Sequence, residues 1–353
     1  MGDGIAAELV GIELGDKRLN DRSGLIIEAL SADPEASCNA ACHGWNETHA
    51  AYRFFDNKSV RPEDILKPHV EATKRRMQEH SVVLIAQDTT KLDYSAHPPT
   101  DARCLNKENR LGLYDHTHLA VTAGGLSLGV VGVEYFDRVA EELGKSRERA
   151  RLPIEEKESM RWLAGYRLAG ELSRDCPETQ IVSIADREAD LYDIFMEAER
   201  QAKEHTHSAD FIIRAKIKRS TPERDLAAGP HAYKKVRDEV SQSELRATQT
   251  IALPRTPKRT ARQAKLEVRA IRVTVKPPHA RSSLPTVTYN VVLVEEVDGP
   301  GDGTDVSWLL ITSLPIDTFA EIRLVIDYYV ARWTIEVSQA GCVSRTALYQ
   351  LAA

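Results

Sequence analysis

Apolar and polar positions change rhythm along this chain, and the change divides it into parts. Through roughly the first seventy residues there is no two-residue alternation. Leu14, Leu19, Leu25, Ile26, Ile27 and Leu30 recur at helical spacing, which predicts a small helical domain. A charged helix over 71–80 leads into 81–86, a continuous apolar run typical of a strand buried on both faces, which ends at Gln87, Asp88, Thr89 and Thr90. Apolar runs over 118–122 and 126–135, joined by Ala123, Gly124 and Gly125, predict an antiparallel hairpin. A helix follows over 154–172, with Met160, Leu163, Ala164, Leu168 and Leu172 at helical spacing. Then come an apolar strand over 180–185 that ends in Asp186, Arg187, Glu188, Ala189 and Asp190, a helix over 191–203 and a strand over 211–216.

Beyond Arg219 the rhythm becomes alternating, at 264–275, 285–297 and 306–312, with basic, proline-rich loops such as 254–259. Helical periodicity returns over 318–337, which carries Tyr329, Arg332 and Glu336. Strand, strand, strand, helix, strand, helix, strand is the ribonuclease-H-like order, in which the first and fourth strands lie side by side. The fold expected is therefore α/β: a ribonuclease-H-like catalytic domain over 71–218 and 313–340, a β-rich basic insertion over 219–312, a helical domain over 1–70 before it and a divergent tail over 341–353. On that topology Asp88 and Asp186, at the ends of the first and fourth strands, become neighbours.

Composition narrows the setting. The 353 residues are long enough for a sizeable core, and with 42% hydrophobic and 28% charged residues they read as a globular protein. The longest apolar runs are only strand-length and the amino terminus lacks a leader pattern, so neither a membrane span nor secretion is expected. Five scattered cysteines, Cys38, Cys42, Cys104, Cys176 and Cys342, suggest no disulfide framework and fit a cytoplasmic location. The net charge of -6 hides an asymmetry. Between Arg214 and Arg281 there are 18 lysines and arginines against 6 acids, so this region suits either a polyanion or simply a solvated basic face.

Two acids at the ends of adjacent strands, plus a third on a nearby helix, offer the oxygen-rich pocket that two hard divalent cations prefer, Mg2+ or Mn2+. Asp88, Asp186 and Glu336 are the candidates, although Asp186 can equally cap the helix after it. Asp93 and Asp190 lie near these acids and can cap turns or pair with Lys91 or Arg187. Cys38 and Cys42 share a helix face beside His43, but no second ligand pair follows at zinc-site spacing. His116 with His118, and His205 with His207, read as surface or core histidines.

Four stretches taken together carry a resemblance. They are Leu14, Gly15, Asp16, Lys17 and Arg18 with Ala51, Tyr52, Arg53 and Phe54; Gln87 to Thr90; Asp186 to Asp190; and the run from Tyr329 to Glu336, whose Tyr-x2-Arg-x3-Glu spacing is specific. In this order they resemble the insertion-sequence-four family of bacterial DDE transposases, from about residue 10 to residue 337. The resemblance implies a helical transposon-end-binding domain and metal-dependent cut-and-paste phosphoryl transfer on double-stranded DNA, with Asp88, Asp186 and Glu336 holding two metal ions. It implies DNA contacts through Tyr329, Arg332, Arg214 and Lys216, and places Trp308 against a flipped base; without it, Trp308 reads as core packing between strands, and Trp333 reads as core either way. Arg18 and Arg22, four apart on one helix face, and Arg53 beside aromatic residues can contact phosphates or form surface ion pairs. A homodimer and a place in the nucleoid are also implied.

The resemblance ends where the family pattern expects a lysine seven residues past Glu336 and this chain has Val343. The stretch from Ser338 to Arg345 loses the expected aromatic and basic positions, and the dimerising helices are missing, as in a frame-shifted or decayed copy. The readings left open are an impaired transposase, a DNA-binding remnant that antagonises an intact copy, and a carboxylate-based glycosidase. The basic insertion and only 6% aromatic residues argue against the last.

Overall fold

The computed structural model describes residues 7–344 apart from 34–35, 97, 100–101, 106–109, 139–151, 217 and 254–259, so the basic loop at 254–259 and the tail past 344 lie outside the described residues. Two compact units share the chain. The first comprises Met1–Ser81, Asp88–Ser146 and Trp333–Ala353; the second comprises Val82–Gln87 and Arg147–Arg332. Among the described residues no helix is long and apolar enough to cross a membrane.

In the first unit the expected helical part forms from capped helices. Asp16 accepts the Arg18 N–H at the start of α1 (Lys17–Ala32), Ser37 accepts the Ala40 N–H at α2 (Cys38–Ala41), and α3 (Trp45–Phe55) follows. Leu14, Ile26, Leu30, Ala51 and Phe54 pack with Cys38 and Cys42 in their core. Burial, with Cys42 alongside, pushes the Cys38 thiol up to about 11. Helix α4 (Pro62–Met77) carries proline in its first turn, where no N–H partner is lost.

Strand β1 (Val82–Asp93) crosses from the second unit into the first, where β3 (Leu111–Thr122) pairs with β2 (Arg103–Cys104) and β4 (Ser127–Phe136). Gly125, at φ 85°, makes the β3–β4 turn as expected. Asp88 therefore lies within a strand, where an acid just past the strand end was expected. The Tyr94 N–H donates to Leu111 O at 2.8 Å, so pairing with β3 keeps the polar half of β1 extended. His116 and His118 are buried on β3, and burial pulls His118 down to about 4.

Helix α4 is fastened to β4 by two side chains. Arg76 Nε donates to Leu128 O at 2.6 Å, and the Val130 N–H donates to His69 Nε2 at 3.0 Å. Since Nε2 accepts, neutral His69 carries its proton on Nδ1 and donates to Glu8, 2.7 Å away; Arg76 Nη1 donates to the same carboxylate at 2.6 Å. Gly129 permits the approach, because a Cβ there would stand 2.2 Å from Thr73 Oγ1.

In the second unit the order is β1, β5 (Gln180–Ala185), β6 (Asp210–Arg214), β12 (Ser307–Thr312), β11 (Val287–Val297), β10 (Arg262–Val275) and β9 (Leu245–Leu253). The first and fourth predicted strands do pair, in parallel, from Val82↔Gln180 to Ala86↔Ile184; β5 and β6 are parallel and the remainder antiparallel. On the sheet lie α5 (Met160–Asp175) and α6 (Tyr192–Glu204), with Phe211 at the centre of an aromatic cluster: Tyr166, Phe195 and Tyr289 stand 6.1, 5.7 and 5.0 Å from it, ring centre to ring centre. The insertion adds the small sheet β7 (Ser220–Arg224) with β8 (Tyr233–Lys235), and α7 (Val236–Ser241).

The single helix expected over 318–337 is two. A capping box at Thr318 and Glu321 starts α8 (Phe319–Ala331), which closes with Arg332 N–H donating to Tyr329 O, a tighter turn than the α-helix, before α9 (Trp333–Ser344) begins. Trp333 is consequently 55% exposed, where core was expected.

Phe211→Ala should cost about 3–5 kcal/mol by leaving a cavity among the rings, read as a lower urea midpoint. Burial raises the Glu8 carboxyl, but the hydrogen bonds of Arg76 and His69 outweigh it and hold the group below its ordinary 4.5. Its stabilisation is thus present above about pH 4.5 and lost as pH falls through the lower folded value. Glu8→Gln should flatten the acid-side fall of the urea midpoint between about pH 5 and pH 3.

Candidate functional site

Asp88 and Asp186 each follow the last paired rung of β1 and β5, Ala86↔Ile184, by two residues. The Asp186 carboxylate does cap a turn: Oδ1 accepts the Glu188 N–H at 2.7 Å and opens the single 3-10 turn Arg187–Ala189. In the first unit, the residues flanking Glu336 tie α9 down. Thr334 Oγ1 donates to Gly125 O at 3.0 Å, and Gln339 Nε2 donates to the Asp88 carbonyl at 3.5 Å. Asp88 and Glu336 are both half-buried. The three carboxylates have the oxygen chemistry that Mg2+ or Mn2+ prefers. Among the described residues, however, no three His, Cys, Asp or Glu side chains are grouped as a metal ion would need.

A second set of predicted residues does come together, within the second unit. Arg214 ends β6 opposite Leu310 of β12, two residues from Trp308, and Tyr329 and Arg332 stand at the end of α8. The Trp308 ring meets Tyr329 edge to face at 5.5 Å and is half-buried, so it borders the core without being enclosed by it. Arg214 Nη2 donates to Ser307 O at 2.9 Å, while its Nε has no hydrogen-bond partner among the described residues.

The electrostatics of this cluster have one theme. Burial raises the Tyr329 hydroxyl, Arg332 and Arg214 pull it back, and Asp186 adds to the rise. Burial also draws the Arg214 guanidinium down; Tyr329 opposes this, and Arg187 and Arg332 reinforce it. Arg214 and Arg332 thus both act on the Tyr329 phenol, and Arg187 and Arg332 both act on Arg214. Such a group of fixed cations, partly removed from water, is suited to an anion with several oxygens, a phosphate above all. Arg187 was not singled out beforehand, although it lies inside the stretch from Asp186 to Asp190.

Other predicted residues stand apart. Arg18 is exposed and held by Asp16 at 3.0 Å, Arg22 is half-buried on α1, and Arg53 is exposed on α3. Lys216, expected on the strand, lies two residues past the end of β6 and is exposed. Asp93 caps the Ser95 N–H and pairs with Arg110 at 2.9 Å. Asp190 is fully buried and closes the turn Arg187–Ala189, one of the roles expected, while its ion pair is with Arg219 and not with Lys91 or Arg187; it also accepts the Lys216 N–H at 2.8 Å.

Asp190→Asn should destabilise the fold by about 3–5 kcal/mol in urea unfolding, because it leaves the Arg219 charge buried without its counter-ion. The paired change Asp190→Asn with Arg219→Met should recover part of that loss.

Residues 2–60 match the family model described as transposase DNA-binding, so the helical amino-terminal part of this chain is similar to the DNA-binding part of transposases.

Proposed function

We propose that this chain is a DNA transposase of the insertion-sequence-four type, which cuts and joins DNA at transposon ends by phosphoryl transfer. The observation that carries the proposal is the match of residues 2–60 to transposase DNA-binding domains. The Tyr329, Arg332 and Glu336 spacing and the parallel pairing of β1 with β5, expected of a ribonuclease-H-like catalytic fold, support it further.

On this reading Arg214, Arg332 and Arg187 grip backbone phosphates beside Asp186, and Tyr329 positions them through its hydroxyl. Trp308 offers the open part of its ring to a base displaced from the duplex. Asp88, Asp186 and Glu336 are assigned as ligands by the family spacing alone, since among the described residues no three such side chains are grouped as a metal ion needs; two Mg2+ or Mn2+ ions, when bound, would supply a more acidic water and charge neutralisation at phosphorus. Water attacks phosphorus on one strand and displaces the 3′ oxygen, leaving a 3′ hydroxyl on the transposon end and a 5′ phosphate on the flanking DNA; that hydroxyl then attacks phosphorus on the opposite strand, closing a hairpin and releasing the flanking DNA with a 3′ hydroxyl. Arg18, Arg22 and Arg53 contact the terminal repeat, and a second copy of the chain completes the synapse.

A second reading, DNA binding without cleavage, is favoured by Val343 at the position where a lysine is expected near the reacting phosphate.

A labelled duplex carrying the element's terminal repeats, incubated with Mg2+ or Mn2+, should be nicked by this chain. Asp186→Ala should abolish nicking and Arg332→Gln should slow it about 10²–10³-fold, as expected for removing a donor that stabilises developing charge. Binding without metal-dependent nicking would establish the second reading, and failure to prefer the repeats over unrelated duplex would overturn both.

A further inference from the structure

The second unit holds a cavity of about 680 Å3 that none of Asp186, Arg214, Trp308, Tyr329 or Arg332 lines. Its walls carry six lysines and arginines against two aspartates. Both aspartates are already engaged: Asp190 by Arg219 and Asp193 by Arg281. Among the described residues no carboxylate pairs with the wall lysines Lys216, Lys218 and Lys276. Lys276 Nζ instead stands 3.9 Å from the centre of the Tyr233 ring, which Arg224 also meets at 4.2 Å.

Uncompensated cations around one concavity repel each other, and the arrangement is relieved by an anion with several charges. The cavity falls within the size range of a ligand site. Of its two wall tyrosines, Tyr192 is buried beneath Arg219 and Tyr233 is taken up by two cations, so neither is free to stack on a base and the recognition available is of phosphates and not of sequence. We infer that this cavity is a second phosphate-binding site, in which Lys216, Lys218 and Lys276 hold the backbone of a nucleic-acid strand irrespective of its sequence. Of these only Lys216 was expected to touch DNA. The site stands on its own charge and needs no cleavage activity.

The test is the binding of the full chain to a terminal-repeat duplex and to an unrelated duplex of equal length, over a series of NaCl concentrations. Lys218→Gln with Lys276→Gln should weaken both duplexes by the same factor, about tenfold near physiological salt, and make the log–log salt slope shallower by about 2. Lys218→Arg with Lys276→Arg should retain the slope, and all variants should unfold at the wild-type temperature. An unchanged slope and affinity in the glutamine variant, or a loss confined to the terminal repeat, would overturn the inference. Inorganic tripolyphosphate separates the other source of the same chemistry. If it raises the melting temperature of the wild type but not of the glutamine variant, while both bind duplex equally, the cavity takes a small polyphosphate and the strand assignment fails. Because the readout is binding, absence of nicking leaves this result intact.

Discussion

The buried pairing of Asp190 with Arg219 holds the ends of β5 and β6 in place within the second unit. Asp190 closes the turn that Asp186 opens, accepts the N–H of Lys216 just past β6, and takes the guanidinium of Arg219, which itself lies over the rings of Tyr192 and Phe195 at 6.0 and 5.4 Å. One carboxylate thereby ties the end of β5 to the end of β6 and to the aromatic core. A buried ion pair adds little to stability by itself, but removing one partner is costly, so its effect is to fix geometry. Both residues of the pair line the lysine-rich cavity, and Asp186, which opens the same turn, acts on Tyr329.

Charge is distributed accordingly. Residues 2–60 contain five lysines and arginines against ten acids, so the part similar to transposase DNA-binding domains is acidic, and its exposed Arg18 is already paired with Asp16. On the proposed function, the cations gathered on the second unit are better placed to neutralise phosphates, and the helical domain would discriminate through local contacts. Affinity and selectivity would then be carried by different residues.

What the sequence made legible follows from burial. The runs at 81–86 and 180–185 are apolar on both faces, which marks adjacent central strands, and the pairing of β1 with β5 follows from them. Arg214, Trp308, Tyr329 and Arg332, each singled out from the resemblance as a DNA contact, lie at neighbouring ends of β6, β12 and α8. The polar residues from Gln87 to Asp93 read as the end of a strand because alternation fails there; the strand persists only because β3, distant in sequence, pairs with it. Periodicity could not show the tight turn at Arg332, since a break of one residue hardly disturbs an apolar repeat, and Trp333 was misplaced for that reason. The partner of Asp190 lies 29 residues away, across α6 and β6, where no spacing rule reaches.

The insertion between β6 and β12 also has a temporal meaning during synthesis. Strand β6 pairs with β5 on one edge, but the strand for its other edge begins 93 residues after Arg214, at Ser307. At ribosomal rates of about 5–20 residues per second, that apolar edge of Phe211, Ile212 and Ile213 waits roughly 5–20 s for its neighbour. An open strand edge is where nascent chains stick to one another. The segment emerging during that interval is the most basic in the protein, so the net charge of the growing chain rises from -11 at Arg214 to zero at Arg281 while the sheet is still unfinished.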